Sequence, residues 1–169
     1  MRRFLAGVVA TLLIEASLAL LVIGFGGAPV NADRRPSTFE TRLLGTALRA
    51  SVARHAASES ELPPPSTDDL TAGAEIYNEM CARCHGNSTG GGNALGASFY
   101  PPAPRLTGRA STYSERELFW IIKHGIRNTA MPAWGSLLSD EDIRQVAAVT
   151  KRFDILPTST APEDSAEER

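Results

Sequence analysis

The chain has 169 residues, a formal charge of −2 and a pI near 5.9, so it lacks the basic field by which proteins hold nucleic acid. Its apolar residues are dense at the start and sparse at the end, so the folded part is smaller than the chain and has a modest core of its own. It has two cysteines, three residues apart, which excludes a disulfide framework.

Arg2 and Arg3 precede an apolar run from Phe4 to Phe25 in which Glu15 is the one charge. About 20 such residues cross the hydrocarbon core of a bilayer as a helix. Residues 1–32 are therefore read as a transmembrane anchor. A cleaved signal peptide is the alternative, because Val30-Asn31-Ala32 suits a signal peptidase, but the core of a signal is only about 7–15 residues long. Arg2 and Arg3 argue for a cytoplasmic N-terminus, while Arg34, Arg35 and Arg42 near the other end blur that orientation. Glu15 is costly at mid-span: it either faces another transmembrane subunit or stays protonated.

Residues 33–67 form a connecting region. Ser37-Thr38-Phe39-Glu40 reads as a capping box, and Phe39, Leu43, Leu44, Ala47, Leu48 and Val52 then recur at helical spacing. Arg42, Arg49 and Arg54 make the other face polar, so this amphipathic helix is expected in the headgroup region or on a partner subunit rather than against the following domain. His55 near its end reads as a surface residue. Pro63-Pro64-Pro65 makes a semi-rigid spacer.

Residues 68–156 are read as the folded domain. Asp69 or Thr71 caps a helix through Ile76, Tyr77 and Met80 that delivers Cys81-Ala82-Arg83-Cys84-His85. This C-x-x-C-H string is the pattern of covalent haem attachment: two sulfurs form thioethers and the adjacent imidazole takes an axial site on iron. A redox dithiol and half of a zinc site are the alternatives, and the zinc reading lacks a second ligand pair. The glycine run 90–92 is a loop and no phosphate cradle, since no Gly-Lys-Ser/Thr follows. Phe99 to Leu106 is extended because its prolines fix φ. Ser114 and Glu117 open a helix with Leu118, Phe119, Ile121 and Ile122 inward, ending near Gly125. Ser139 and Asp142 open the last helix, with Ile143, Val146, Ala147 and Val149 inward and Lys151-Arg152 at its end. Residues 157–169 are too acidic and polar to order themselves.

If His85 takes one face of the iron, the candidates for the other are Met80, Met131, His55 and His124. Met80 adjoins Cys81 and cannot swing across the ring, and His55 lies beyond the proline spacer. His124 at a helix end is open in principle. Met131, held in extended backbone by Pro132, is the better candidate, with a core-filling methionine as its plain alternative.

Residues 68 to about 154 resemble the class I c-type cytochromes, the small bacterial monohaem domains. The likeness rests on Gly73-Ala74-Glu75-Ile76-Tyr77 before the Cys81–His85 motif, the proline-rich loop ending in Leu106, Ile121-Ile122-Lys123-His124-Gly125-Ile126, and Met131-Pro132-Ala133-Trp134. It implies an all-α fold of three main helices around one covalent haem c, here preceded by the transmembrane and amphipathic helices. It further implies attachment by Cys81 and Cys84, ligation by His85 and Met131, and a carbonyl near Pro101 or Pro102 holding the His85 ring. Tyr100, Arg105 and Trp134 become candidates for the propionates or the haem edge, and Leu106 is counted among the cofactor-binding positions. The last helix offers Val146 and Ala147 where such domains often place an aromatic, which puts a tight crossing with Gly73 and Tyr77 in question.

The function expected is one-electron transfer, not catalysis, by a membrane-anchored carrier or redox-complex subunit. Its partners would be a quinol-oxidising complex or dehydrogenase and a terminal oxidase or reductase. Thioether attachment suits export, which places the haem domain on the periplasmic side of a bacterial inner membrane. The alternative function is a haem sensor in which a small ligand displaces Met131.

Overall fold

The computed structural model describes residues 1–27, 30–87, 93–106 and 111–153. The glycine run and the acidic tail lie outside the described residues, which contain helices and no strand. The chain divides into two units, Met1–Asn31 and Ala32–Arg169.

The first unit is helix α1, Arg2–Gly24, 23 residues long, in which an 18-residue window reaches a mean hydropathy of 2.4. At 1.5 Å per residue it is about 35 Å long, enough to cross a membrane. None of its side chains is buried, and the Thr11 hydroxyl turns back to donate to the Gly7 carbonyl at 3.1 Å.

The second unit starts with α2, Thr38–Ala56, capped by the Ser37 side chain, which accepts from the Glu40 N–H at 3.1 Å. Next comes α3, Thr67–Ile76, capped by Ser66 in a reciprocal box with Asp69. The cap is thus Ser66, ahead of the expected Asp69 or Thr71: Asp69 belongs to the box at its third helical position, where a carboxylate reaches back to the Ser66 N–H. The helix widens into a π turn, Tyr77–Cys81, and continues as α4, Ala82–His85. The motif is therefore the last stretch of one helical path that begins at Thr67. After it come the single turn α5, Ala94–Ala97, then α6, Glu115–His124, a 3-10 turn, Trp134–Ser136, and α7, Asp140–Lys151. Full capping boxes open α6 at Ser114 and Glu117 and α7 at Ser139 and Asp142.

The core gathers where α6 and α7 meet α3: Tyr77, Leu118, Phe119, Ile122, Ile143, Val146 and Ala147 are all buried together. The α3–α7 crossing is tight. A Cβ added at Gly73 would lie 2.3 Å from the Gln145 carbonyl oxygen, so only a glycine lets the two backbones touch here. The aromatic sought inside α7 lies just past its end, where the Phe153 ring meets Tyr77 edge-on at 4.5 Å between centroids. Across the same crossing Arg144 pairs with Asp69 at 2.7 Å and with Glu141, and the Gln145 amide donates to Asp69 at 3.1 Å.

The expectation that the amphipathic helix lies away from the following domain is overturned. The amphipathic helix α2 packs on α6 and buries Val52 and Ala56, 0% and 1% exposed, within the second unit. His55 lies against the same helix, its ring stacked on Trp120 at 5.5 Å. The apolar positions seen as one stripe are in fact two surfaces: Val52 and Ala56 face inward, while Phe39, Leu43 and Leu44 are exposed.

Candidate functional site

The end of the long helical path presents Cys81, Cys84 and His85, all half-buried, with both cysteines unpaired. Burial, helped by the neighbouring Cys84, pushes the Cys81 thiol up to about 12. A redox dithiol works through an accessible thiolate, so this environment disfavours the thioredoxin-like reading. No group of three or more His, Cys, Asp or Glu suited to a metal ion occurs among the described residues, which leaves the zinc reading without ligands.

The His85 Nδ1 lies 2.8 Å from the Pro104 carbonyl oxygen. A carbonyl only accepts, so Nδ1 carries the proton and Nε2 keeps its lone pair for a metal. The orienting carbonyl is Pro104, two to three residues later than Pro101 or Pro102, because the loop is zipped to the motif at its far end. There the Leu106 N–H donates to the His85 carbonyl at 3.2 Å, and the Asn93 side chain donates to the carbonyls of Cys84 and Ala103 at 3.0 and 3.3 Å. The Tyr77 hydroxyl, buried, donates to the Gly86 carbonyl at 2.8 Å and pins the residue that follows the motif.

Met131 comes from the loop between α6 and the 3-10 turn. That loop starts at Gly125, where φ is +66° and a Cβ would lie 2.6 Å from the Pro132 carbonyl, so the chain returns against its own start. The Ile126 N–H donates to the Met131 carbonyl at 3.1 Å. Thr129 braces the turn from within: its hydroxyl donates to the Ile126 carbonyl at 2.7 Å and accepts from the Met131 N–H at 3.1 Å. Met131, Trp134, Leu106 and Cys81 all pack, partly buried, against the one core cluster.

The Tyr100 hydroxyl donates to Glu40 Oε2 at 2.6 Å, tying the proline-rich loop to α2, and this bond raises the pKa of the phenol. Arg105 is exposed. His124 lies beside Trp120, 5.0 Å between rings, with Nε2 3.9 Å from Glu59, on the α2 side of α6. Pro104 and Asn93 are supporting residues that sequence reasoning missed; Tyr77 is expected from sequence in the helix before the motif, and the structure adds the bond of its hydroxyl to Gly86. The donor set fits a covalent haem: two half-buried thiols, Cys81 against the apolar core, an imidazole with its Nε2 available, and a thioether on a braced loop.

A family model described as cytochrome C oxidase, cbb3-type, subunit III matches residues 68–148. Cytochrome c6 of Synechococcus elongatus is 38% identical over 80 residues, 47% of this chain and 85% of that protein. The cbb3-type cytochrome c oxidase subunit FixP of Bradyrhizobium sp. (strain ORS 278) is 36% identical over 98 residues, which are 57% of this chain and only 31% of FixP. Among solved structures, the reducing HAO-like protein complex of Kuenenia stuttgartiensis matches 56% of this chain and 45% of its own at 27% identity, with a TM-score of 0.44.

Proposed function

The chain belongs to the class I c-type cytochromes, and from that we propose that it is a membrane-anchored monohaem c-type cytochrome. It passes single electrons between respiratory partners, as a tethered carrier or as a fixed subunit of a redox complex. Electron transfer is the work of the family. The anchor, the single haem and the partners are our reading, supported by α1, by the one C-x-x-C-H motif and by the likeness to an oxidase subunit.

The observation that carries the site is the His85–Pro104 hydrogen bond of 2.8 Å, which fixes the imidazole tautomer that a metal requires. Cys81 and Cys84 would hold the haem through thioethers, and His85 and Met131 would fill the axial positions. When bound, haem supplies one-electron iron chemistry, and a histidine–methionine pair favours a raised reduction potential. With His85 and Met131 both holding the iron, the chain would leave no place there for a substrate. The Pro104 carbonyl orients the imidazole, Thr129 and Gly125 hold the thioether's loop, and Leu106 and Trp134 pack, partly buried, against the core cluster.

The partners proposed are a quinol-oxidising complex or dehydrogenase on the donor side and a terminal oxidase or reductase on the other. The domain would then face the periplasm from a bacterial inner membrane. A tether of this kind raises effective concentration near membrane complexes at the cost of range. The test is direct. Intact mass should exceed the polypeptide by one haem, and the oxidised protein should show a sulfur-to-iron charge-transfer band. Met131→Ala should abolish that band, lower the potential and admit carbon monoxide to the reduced form. Carbon monoxide binding by the unaltered protein, or an unchanged spectrum in the variant, would remove the assignment.

A further inference from the structure

The first half of α2 presents an apolar surface that the fold leaves open. Phe39, Leu43 and Leu44 are 76%, 55% and 58% exposed. With 3.6 residues per turn, Phe39, Leu43, Ala47 and Ala50 fall on one strip, opposite the face that buries Val52 and Ala56. Arg42 and Arg49, both exposed, flank the strip on one side. Glu40 is the one acid on the helix, and its carboxylate is taken by the Tyr100 hydroxyl. The open strip therefore has bulky apolar side chains bordered by arginines and no acid of its own.

Charge along the chain sharpens the choice of occupant. Residues 32–57 carry five arginines (34, 35, 42, 49 and 54) against Asp33 and Glu40, whereas residues 58–169 carry ten Lys or Arg against sixteen Asp or Glu. An acidic lipid surface repels the second segment and attracts the first. The covalent tether is bounded as well: residues 25–37 span at most about 45 Å fully extended.

We propose that the strip Phe39–Leu43–Ala47, with Arg42 and Arg49, is a docking face for the surface of an anionic bilayer. The apolar side chains enter the interface and the guanidiniums meet lipid phosphates. The proposal rests on the reading of α1 as a membrane span. Because Glu40 and Val52 tie α2 to the proline-rich loop and to α6, docking of this strip sets the attitude of the whole haem-binding unit to the membrane. It also gives a role to the arginines after α1 that obscure its orientation by charge: they serve the lipid surface on the haem side.

The test uses the full chain with haem, in nanodiscs of phosphatidylcholine alone or with phosphatidylglycerol. Co-flotation with vesicles of the same lipids is the control for α1. A photo-crosslinker, p-benzoylphenylalanine, is placed at position 39, 43 or 48. Lipid adducts at 39 and 43 but not at 48, with a higher yield in phosphatidylglycerol, support the proposal. Arg42→Gln with Arg49→Gln should then weaken surface association by about 30-fold at low salt while leaving flotation and the haem spectrum unchanged. Flotation with adducts only to protein at 39 and 43, or with no adducts, overturns the docking face alone. Loss of flotation overturns the anchor, and the proposal falls with it.

Discussion

At His85 one hydrogen bond carries chemical information that no residue type does. The Pro104 carbonyl can only accept, so the 2.8 Å contact commits the ring to one tautomer and one orientation. Gly73 is the equivalent point for packing. A methyl group there meets the Gln145 carbonyl carbon and oxygen at 2.5 and 2.3 Å, and these are backbone atoms that cannot swing aside. Gly73→Ala should therefore push α3 from α7 and cost about 1–3 kcal/mol or more, read as a lowered denaturation midpoint with the haem spectrum initially intact. An unchanged midpoint would mean that the crossing relaxes without loss. Both residues were singled out from sequence, but their partners, Pro104 and Gln145, were not, because each contact joins backbone across a turn or a crossing that local pattern does not encode.

At the scale of elements, α2 is the instructive case. Its capping residue and its helical period were legible in the sequence, yet its destination was not, since an apolar stripe says that something covers it without saying what. Val52 and Ala56 are covered by the rest of the unit to which α2 belongs, and Tyr100 closes the other end on Glu40. Val52→Asp should place a charge where exposure is 0% and release the helix, because an unpaired buried charge costs more than the packing it replaces. Limited proteolysis should then cut within residues 38–66 of the haem-bearing protein, while absorption stays that of the unaltered form. Resistance to protease would show that the contact is dispensable. The π turn Tyr77–Cys81 is a second element that periodicity did not foresee; a helix that must deliver two cysteines and a histidine to one place departs from 3.6 residues per turn just there.

At the scale of the whole molecule, acid stability should follow the carboxylate that joins α3 to α7 and the two in the first turn of α7. The Ser66 backbone and side chain, then Arg144 and Gln145, hold the Asp69 carboxyl well below its ordinary value of 3.8. Ser139 lowers Asp142 and Arg144 lowers Glu141 in the same way. Each is more acidic folded than unfolded, so its contribution is complete above the ordinary carboxylate range. It fades as pH falls below that range, because the unfolded chain then binds protons that the folded one refuses. The unfolding midpoint should be flat near neutrality and fall steeply below about pH 4, and Asp69→Asn should flatten that fall. A variant with the full acid dependence of the parent would assign the loss to other groups.

Sequence alone determined what is local and periodic: the C-x-x-C-H motif, the capping serines of α2, α6 and α7, the inward faces of α6 and α7, and one run long and apolar enough to cross a membrane. These follow from bonds and side-chain directions within a few residues, so a linear pattern contains them. Tertiary structure decided which carbonyl orients His85, which aromatic meets Tyr77, and which of the two apolar faces of α2 is covered. Each of these joins segments that lie far apart along the chain or pass each other by backbone contact, and only the packed fold fixes such distances.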